Sequence, residues 1–422
     1  MTPWVVGIAL AIVLAYWVLP DLLGHFGQIG AVWGDTRAYR FALTFDDGPG
    51  PDTAAVLDRL EALGVRATFF LVAERALEHP EVVRRMVALG HEIGLHGMTH
   101  RSAWTMAPWT AVADLLRGRR ALERLTGRRI RYVRPPWGHH NLVTWVLPRL
   151  LGLRRVLWTV APDDWRPDRT PEAIARHVVR FAQPGGIAVL HDAGGDRSRT
   201  VAALDPLVAG LKALAFDLVP VGELGEERSL LRRLWFWWEG VFTRLGAIDT
   251  VPATDGGPPV MRLGRAVYRG PRVEPAPGVV VRPGDPMAEI HFQNPTLGAD
   301  SVRRTGAVRS YARVARGLAD VARWIEADPA YRDVAVVGGV TVLDAAQAIE
   351  RLGFFRVPVG GLRMFGMRIY LVLLMAVFHA EGWRVLGRFF RLRPVLIFLP
   401  RDKFVARFGR PAPDRARSRR GD

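Results

Sequence analysis

The chain of 422 residues contains no cysteine. Disulfides, iron–sulfur clusters, thiolate-bound zinc and thiol nucleophiles are therefore excluded, and any metal site must be built from His, Asp and Glu. Lysine is almost as scarce. Among 58 basic residues only Lys212 and Lys403 are lysines, and the rest are arginine. No compact Lys/Arg run marks a nucleic-acid motif, so no specific nucleic-acid partner is expected. The net charge of +17 reads as a solvated basic surface, of a kind that favours anionic headgroups or acidic wall polymers. Wholesale disorder is excluded too, since 49% apolar and 23% charged residues is a globular composition. At roughly 150 residues per domain the length suits two to three domains.

One long apolar run is present, at the start. Trp4–Leu19 carries no charge and is ended by Pro20 and Asp21. Extended to Leu23, it reaches the roughly 20 residues that cross a bilayer. No small-x-small cleavage site follows, so residues 1–24 read as an uncleaved anchor with the bulk of the chain outside the cytoplasm. The usual basic flank is missing, and the first basic side chain is Arg37.

From Phe41 to Glu226 short apolar runs alternate with helical stretches. The runs are Phe41–Phe45, Ala67–Val72, Glu92–Leu95, Ile130–Val133, Val156–Val160, Ile187–Leu190 and Asp217–Pro220. Between them lie amphipathic segments such as Thr53–Leu63 and Pro80–Leu89, each followed by a glycine suited to ending a helix. Thr170-Pro171 supplies an N-cap and a favoured first-turn proline. This alternation predicts an α/β fold with a parallel sheet or barrel.

Arg228–Gly246 is an Arg- and Trp-rich helix, suited to a membrane surface or to packing between domains. Ile248–Pro259 reads as a linker. A smaller α+β unit follows, with strands at Val279–Val281, Met287–Phe292, Val334–Val337 and Val395–Leu399. Its helices are expected at Ser310–Glu326, Val342–Leu352 and Met367–His379. The Arg-rich tail, 411–422, reads as disordered. Glu289, His291, His379 and Glu381 are read as ordinary strand-edge and helix-end residues rather than a second polar site.

Polar clusters stand just after the predicted strands of the first unit: Asp46 and Asp47, His96 and His100, Arg134, Asp164, then His191 and Asp192. In a parallel barrel the C-terminal strand ends converge on one face, which carries the active site. Two histidines four apart plus one carboxylate make a three-ligand metal site with an open position. The other carboxylate of the Asp46–Asp47 pair remains as a base, and His191 can protonate a leaving amine. A base, an acid and a metal make an amide or ester hydrolase.

These residues resemble the polysaccharide deacetylases, carbohydrate esterase family 4, whose catalytic part is the NodB homology domain. Thr44-Phe45-Asp46-Asp47-Gly48-Pro49 is similar to their first motif, and His96-Gly97-Met98-Thr99-His100 to the second. Arg134-Pro135-Pro136-Trp137-Gly138 resembles the third, Asp164-Trp165 the fourth, and Leu190-His191-Asp192 the fifth. The resemblance covers roughly Tyr39 to Glu226 and implies a distorted (β/α)7 barrel over 35–227. It implies that Asp47, His96 and His100 hold a divalent metal, zinc or cobalt. Asp46 would be the general base, His191 the general acid, Arg134 the residue orienting the carboxylates, and Asp164 the partner tuning His191. Pro135, Trp137, Trp165 and Leu190 would line the substrate pocket, with a backbone N–H near Trp137 on the oxyanion.

The sequence departs from the family pattern at three places. Gly97 stands for a hydroxyl residue, Ala161 for a further Asp and Trp137 for the more usual Tyr. His139 and His140, just beyond the third motif, are read as groove or surface residues and not ligands. Residues 228–259 then form a helix and linker. Tyr268-Arg269-Gly270-Pro271 through Glu289-Ile290-His291-Phe292 resembles the YkoP-like domain, which implies such a domain over 260–410. The expected function is removal of N-acetyl groups from an envelope glycan such as peptidoglycan. The alternatives are a metal-dependent amidase or esterase for another substrate, and a non-catalytic glycan-binding protein.

Overall fold

The computed structural model describes residues 3–227, 229–246, 248–292, 299–341, 352–359, 364–370, 372 and 394–409. It divides into two compact units, the first reaching Ser229 and the second starting at Leu230. The expected helices at Val342–Leu352 and Met367–His379 fall largely outside the described residues, as does the tail at 411–422.

The first unit is built on seven parallel strands. These are β1 (Arg40–Asp46), β2 (Thr68–Leu71), β3 (Glu92–Leu95), β4 (Tyr132–Val133), β5 (Arg154–Arg155), β6 (Gly186–His191) and β7 (Asp217–Leu218). Their order is β5-β4-β3-β2-β1-β6, with β7 also paired to β1. Val160, beyond β5, bridges Ala188 of β6 in parallel, which curls the sheet into a distorted barrel. β1 is buried along its length after Arg40, as a strand covered on both faces must be. Helices Thr53–Ala62 and Pro80–Ala88 end as expected ahead of Gly64 and Gly90, whose φ values are +64° and +77°. Thr170 caps its helix by accepting the Ala173 N–H.

One expectation for this unit needs correction. The fifth strand lies at Arg154–Arg155 rather than Val156–Val160. The reason is the buried Arg134 side chain, whose Nε and Nη2 donate to the Val156 and Leu157 carbonyls and take them out of any ladder. The N-terminal helix runs through Pro20 and continues to Phe26. Proline removes one backbone donor, and the helix accommodates it with i→i+5 turns at Leu14–Val18 and Leu22–Phe26.

The second unit holds a six-stranded mixed sheet. Its strands are β8 (Asp249–Thr250), β9 (Met261–Val267), β12 (Pro286–Phe292), β13 (Val336–Thr341), β14 (Phe355–Pro358) and β15 (Val395–Pro400), in the order β14-β15-β13-β12-β9-β8. A two-stranded ribbon, β10 (Val273–Ala276) with β11 (Val279–Val281), stands apart. Leu318, Val321, Ala322 and Ile325 of helix Ala299–Ala327 pack on this sheet with Leu263, Val337 and Leu399. The stretch read as a linker contributes β8, since Asp249 and Thr250 pair with Leu263 and Arg262. Helix Leu230–Gly246 packs within this unit: Trp235 lies against Tyr370, and Glu239 pairs with Arg262 at 3.0 Å. On β12, His291 stands 3.6 Å from Glu289, while His379 and Glu381 lie outside the described residues.

Candidate active site

The strand ends of the barrel bring the sequence-predicted polar residues together. Asp46 ends β1 and stands in register with His191 at the end of β6. Asp47 follows at a φ of +74°, so the chain turns there. Two successive strand residues would face opposite sides, and the turn lets both carboxylates serve one site. His96 follows β3, with its N–H on the Leu71 carbonyl of β2, and Arg134 follows β4, with its N–H on the Leu95 carbonyl of β3.

Asp47 Oδ1 lies 2.9 Å from His100 Nε2 and 3.4 Å from His96 Nε2. One ligand atom from each of these residues falls within 4.8 Å of the others, and among the described residues no other such group is found. The donor set fits a divalent cation. His96 Nδ1 donates to the Arg134 carbonyl at 2.7 Å, which leaves its Nε2 lone pair turned towards Asp47. Burial pushes the Asp47 carboxyl up, but its bonds to His100 and His96 outweigh this and hold it well below the usual carboxylate range.

Arg134 is fully buried. Its Nη1 donates to Asp46 Oδ1 and to Thr44 Oγ1, each at 2.7 Å, and its guanidinium lies 4.2 Å over the Phe70 ring. Burial pulls the guanidinium down from its ordinary value, and the Asp46 charge opposes this. Across the site, His191 Nδ1 donates to Asp164 Oδ1 at 2.8 Å, which leaves Nε2 as the free ring nitrogen. Asp164 Oδ2 accepts the His191 N–H and the Thr200 hydroxyl, so the carboxylate cannot swing away. Burial pushes the imidazole down, but bonding to Asp164, with further charge from Asp46 and Asp47, raises it to about 9.

Residues 34–156 match the polysaccharide deacetylase family and residues 228–408 match the YkoP domain. A peptidoglycan-N-acetylglucosamine deacetylase of Bacillus cereus is 38% identical over 186 residues, covering 43% of this chain and 86% of that protein. The chain belongs to the polysaccharide deacetylase family. A chitooligosaccharide deacetylase of Bradyrhizobium is 35% identical, over 46% of this chain and 94% of its own length. A peptidoglycan-N-acetylmuramic acid deacetylase of Bacillus subtilis is 34% identical, over 44% of this chain and 39% of that protein.

The structure explains one departure from the deacetylase pattern. Gly97 has a φ of +88°, and a Cβ there would meet the Thr99 carbonyl at 2.9 Å and Asp114 at 3.0 Å. The loop between the two histidines is held instead by Asp114, which accepts the Met98 and Thr99 N–H groups and the Thr99 hydroxyl. Sequence reasoning missed Asp114 and Thr200, since each is a single polar residue whose role depends on a distant segment, and it quoted Thr44 only as part of the first motif. Asp192 was grouped with His191 at its strand end but given no role. It is fully buried beside Gly48, bonded by the Thr53 hydroxyl at 2.6 Å, and burial raises it to about 7.

Of the residues assigned to the pocket, Trp137 and Trp165 are exposed, while Pro135 and Leu190 are buried. Trp137 has a φ of +56° and its ring lies 4.3 Å from that of His100. His139 is half-buried and stacks on Trp104 at 3.7 Å. His140 is no groove or surface residue: it is completely buried, with its N–H donated to Asp21 of the N-terminal helix at 2.7 Å. That helix was legible only as an apolar run, so its contact with the third motif left no mark in the local sequence.

Proposed function

We propose that the chain is a metal-dependent hydrolase that removes N-acetyl groups from amino-sugar polymers of the cell envelope. In this reading residues 1–24 anchor it in the membrane, and the barrel over 35–227 works outside the cytoplasm. The supporting observation is the convergence, on one strand-end face, of the Asp47–His96–His100 group, the Asp46–Arg134 pair and the His191–Asp164 pair. A binding module has no use for an acid and a base beside a metal site. The named activities of the relatives direct the substrate class to peptidoglycan or a related N-acetylglucosamine glycan. The domain over 260–410 carries no assigned activity.

Asp47, His96 and His100 would hold zinc or cobalt. Such a cation supplies Lewis acidity towards the acetyl carbonyl and lowers the pKa of a bound water. Asp46, oriented by Arg134, takes the proton of the attacking water. His191 gives a proton from Nε2 to the leaving amine while Asp164 holds Nδ1. A backbone N–H near Trp137 serves the oxyanion, and Pro135, Trp137, Trp165 and Leu190 shape the acetyl and sugar pocket.

The test uses the full chain in detergent, stripped by chelator and reloaded with zinc or cobalt. Acetate release from N-acetylglucosamine oligomers and from peptidoglycan should appear only after reloading. Metal retained without release from any glycan would reject the glycan substrate. Failure to bind either metal would reject the hydrolase.

A second expectation concerns pH. The general acid must be protonated, so wild-type kcat should fall as pH rises through about 9, the value to which Asp164 chiefly raises His191. Asp164→Asn removes that charge and should move the alkaline limb to lower pH. Stability follows the same sign. The bond contributes fully below the unfolded value of about 6.5 and is lost as pH climbs through the folded one. A pH–rate profile whose alkaline limb stays in place in the variant would remove His191 as the titrating acid.

A further inference from the structure

The N-terminal helix has two unlike halves. Residues 4–15 are exposed on every side. From Tyr16 onward the helix is docked on the barrel. The Tyr16 hydroxyl donates to the Met106 carbonyl and Trp17 Nε1 to the Trp104 carbonyl at 3.0 Å. Asp21, itself buried, accepts the His140 N–H, and His25 Nδ1 donates to the Gly138 carbonyl at 2.9 Å. Those carbonyls and N–H groups belong to the loops carrying the second and third motifs. From the docked helix to the metal group the path is short: Trp104 stacks on His139, His139 lies 6.0 Å from Trp137, and Trp137 lies 4.3 Å from His100.

This geometry constrains how the anchor sits in a bilayer. Twelve free residues rise about 18 Å, little more than half of the ~30 Å hydrocarbon core. The apolar helix itself runs on to Phe26, so a span built on it takes in the docked half, and the barrel surface beside it is brought into the same layer. That surface is apolar. Helix Leu142–Leu150 packs beside the docked half, with the Trp145 ring against Gly24, and turns Leu142, Val146 and Leu150 outward in one stripe. Leu150 is 74% exposed, and Trp109, three residues beyond the Tyr16 contact at Met106, is 73% exposed. The helix carries no acidic residue, and Arg149 at its end suits anionic headgroups. A barrel on a loose tether would have no use for such a patch.

We propose that this rim of the barrel, with Trp109, Val146 and Leu150, is immersed in the lipid surface, so that the active site opens at the membrane. The occupant of the patch is the bilayer, with which it is continuous through the helix. The substrate class narrows accordingly to N-acetylated amino-sugar chains presented at the membrane, such as those attached to a lipid. This rests on the membrane placement proposed above.

Because the chain has no cysteine, single labels can be placed at will. Val146→Cys, Leu150→Cys and, as a control away from the rim, Leu77→Cys would each carry an environment-sensitive fluorophore. The full chain would be placed in vesicles of phosphatidylcholine and phosphatidylglycerol. Depth-dependent quenching by brominated lipid should place the labels at 146 and 150 about 5–10 Å within the headgroup–acyl boundary, and leave the label at 77 open to iodide. Labels at 146 and 150 as open to iodide as the control, in protein that floats with the vesicles, would overturn the immersion and leave the anchor standing. A chain that does not float overturns both. A label that in detergent is quenched neither by iodide nor by a brominated detergent would mean that protein covers the patch, which also overturns the proposal. As a second readout, Val146→Glu combined with Leu150→Glu should keep the rate on a free N-acetylglucosamine oligomer. The same variant should lose any preference for that oligomer coupled to phosphatidylethanolamine in vesicles.

Discussion

Asp46→Asn is expected to lower kcat/KM for acetate release by about 10²–10⁴, the usual contribution of a general base. Asparagine keeps an oxygen where Asp46 Oδ1 accepts the Arg134 Nη1 bond at 2.7 Å, but it cannot take a proton. The Asp47–His96–His100 group is untouched, so bound metal should be unchanged. The measurement is acetate release at saturating zinc or cobalt, with metal content determined on the same sample. Full metal with activity close to wild type would remove Asp46 from the base role. Loss of metal together with activity would point instead to a ligand role.

Arg134→Met should be the most damaging single change to the fold. The guanidinium is wholly buried, and all of its bonded partners lie inside the barrel: Thr44, Asp46, and the Val156 and Leu157 carbonyls. Methionine fills much of the volume over Phe70 but leaves the buried Asp46 carboxylate without a countercharge. Breaking a buried pair in this way costs about 3–5 kcal/mol, and the two orphaned carbonyls add to it. Urea unfolding of the full chain reads this directly. A loss of only about 1 kcal/mol, as for an exposed pair, would refute the argument. The double variant with Asp46→Asn should be less unstable than the sum of the two single changes, because one partner's loss already breaks the pair.

Six of the seven strands of the barrel were legible, the central ones because a parallel strand covered on both faces is a short apolar run bounded by polar turns. The motif residues were legible because they sit directly after those runs. The fifth strand was misplaced by its own apolarity: Val156–Val160 is as apolar as a strand, but its carbonyls serve Arg134 from another strand end. In the second unit Met261–Val267 forms the longest stretch of pairing with β12, yet arginine and glycine interrupt its pattern and hid it. Gly97 marked a loop held differently from the family pattern, but only the structure showed that Asp114, 17 residues on, holds it.

What the sequence determined by itself was the chemistry available. With no thiol and two histidines four apart beside paired carboxylates, a metal hydrolase site follows from residue type and spacing at the strand ends. Tertiary structure alone decided what those groups are bonded to. It put Arg134 rather than solvent on Asp46, Asp164 on His191, and the second half of an apolar helix on the loop that carries Trp137. The physical reason is the range of the interactions. Strand and helix patterns are written in neighbours a few residues apart. The buried hydrogen bonds that orient Asp46 and dock the N-terminal helix join segments about a hundred residues apart, Asp46 with Arg134 and Asp21 with His140.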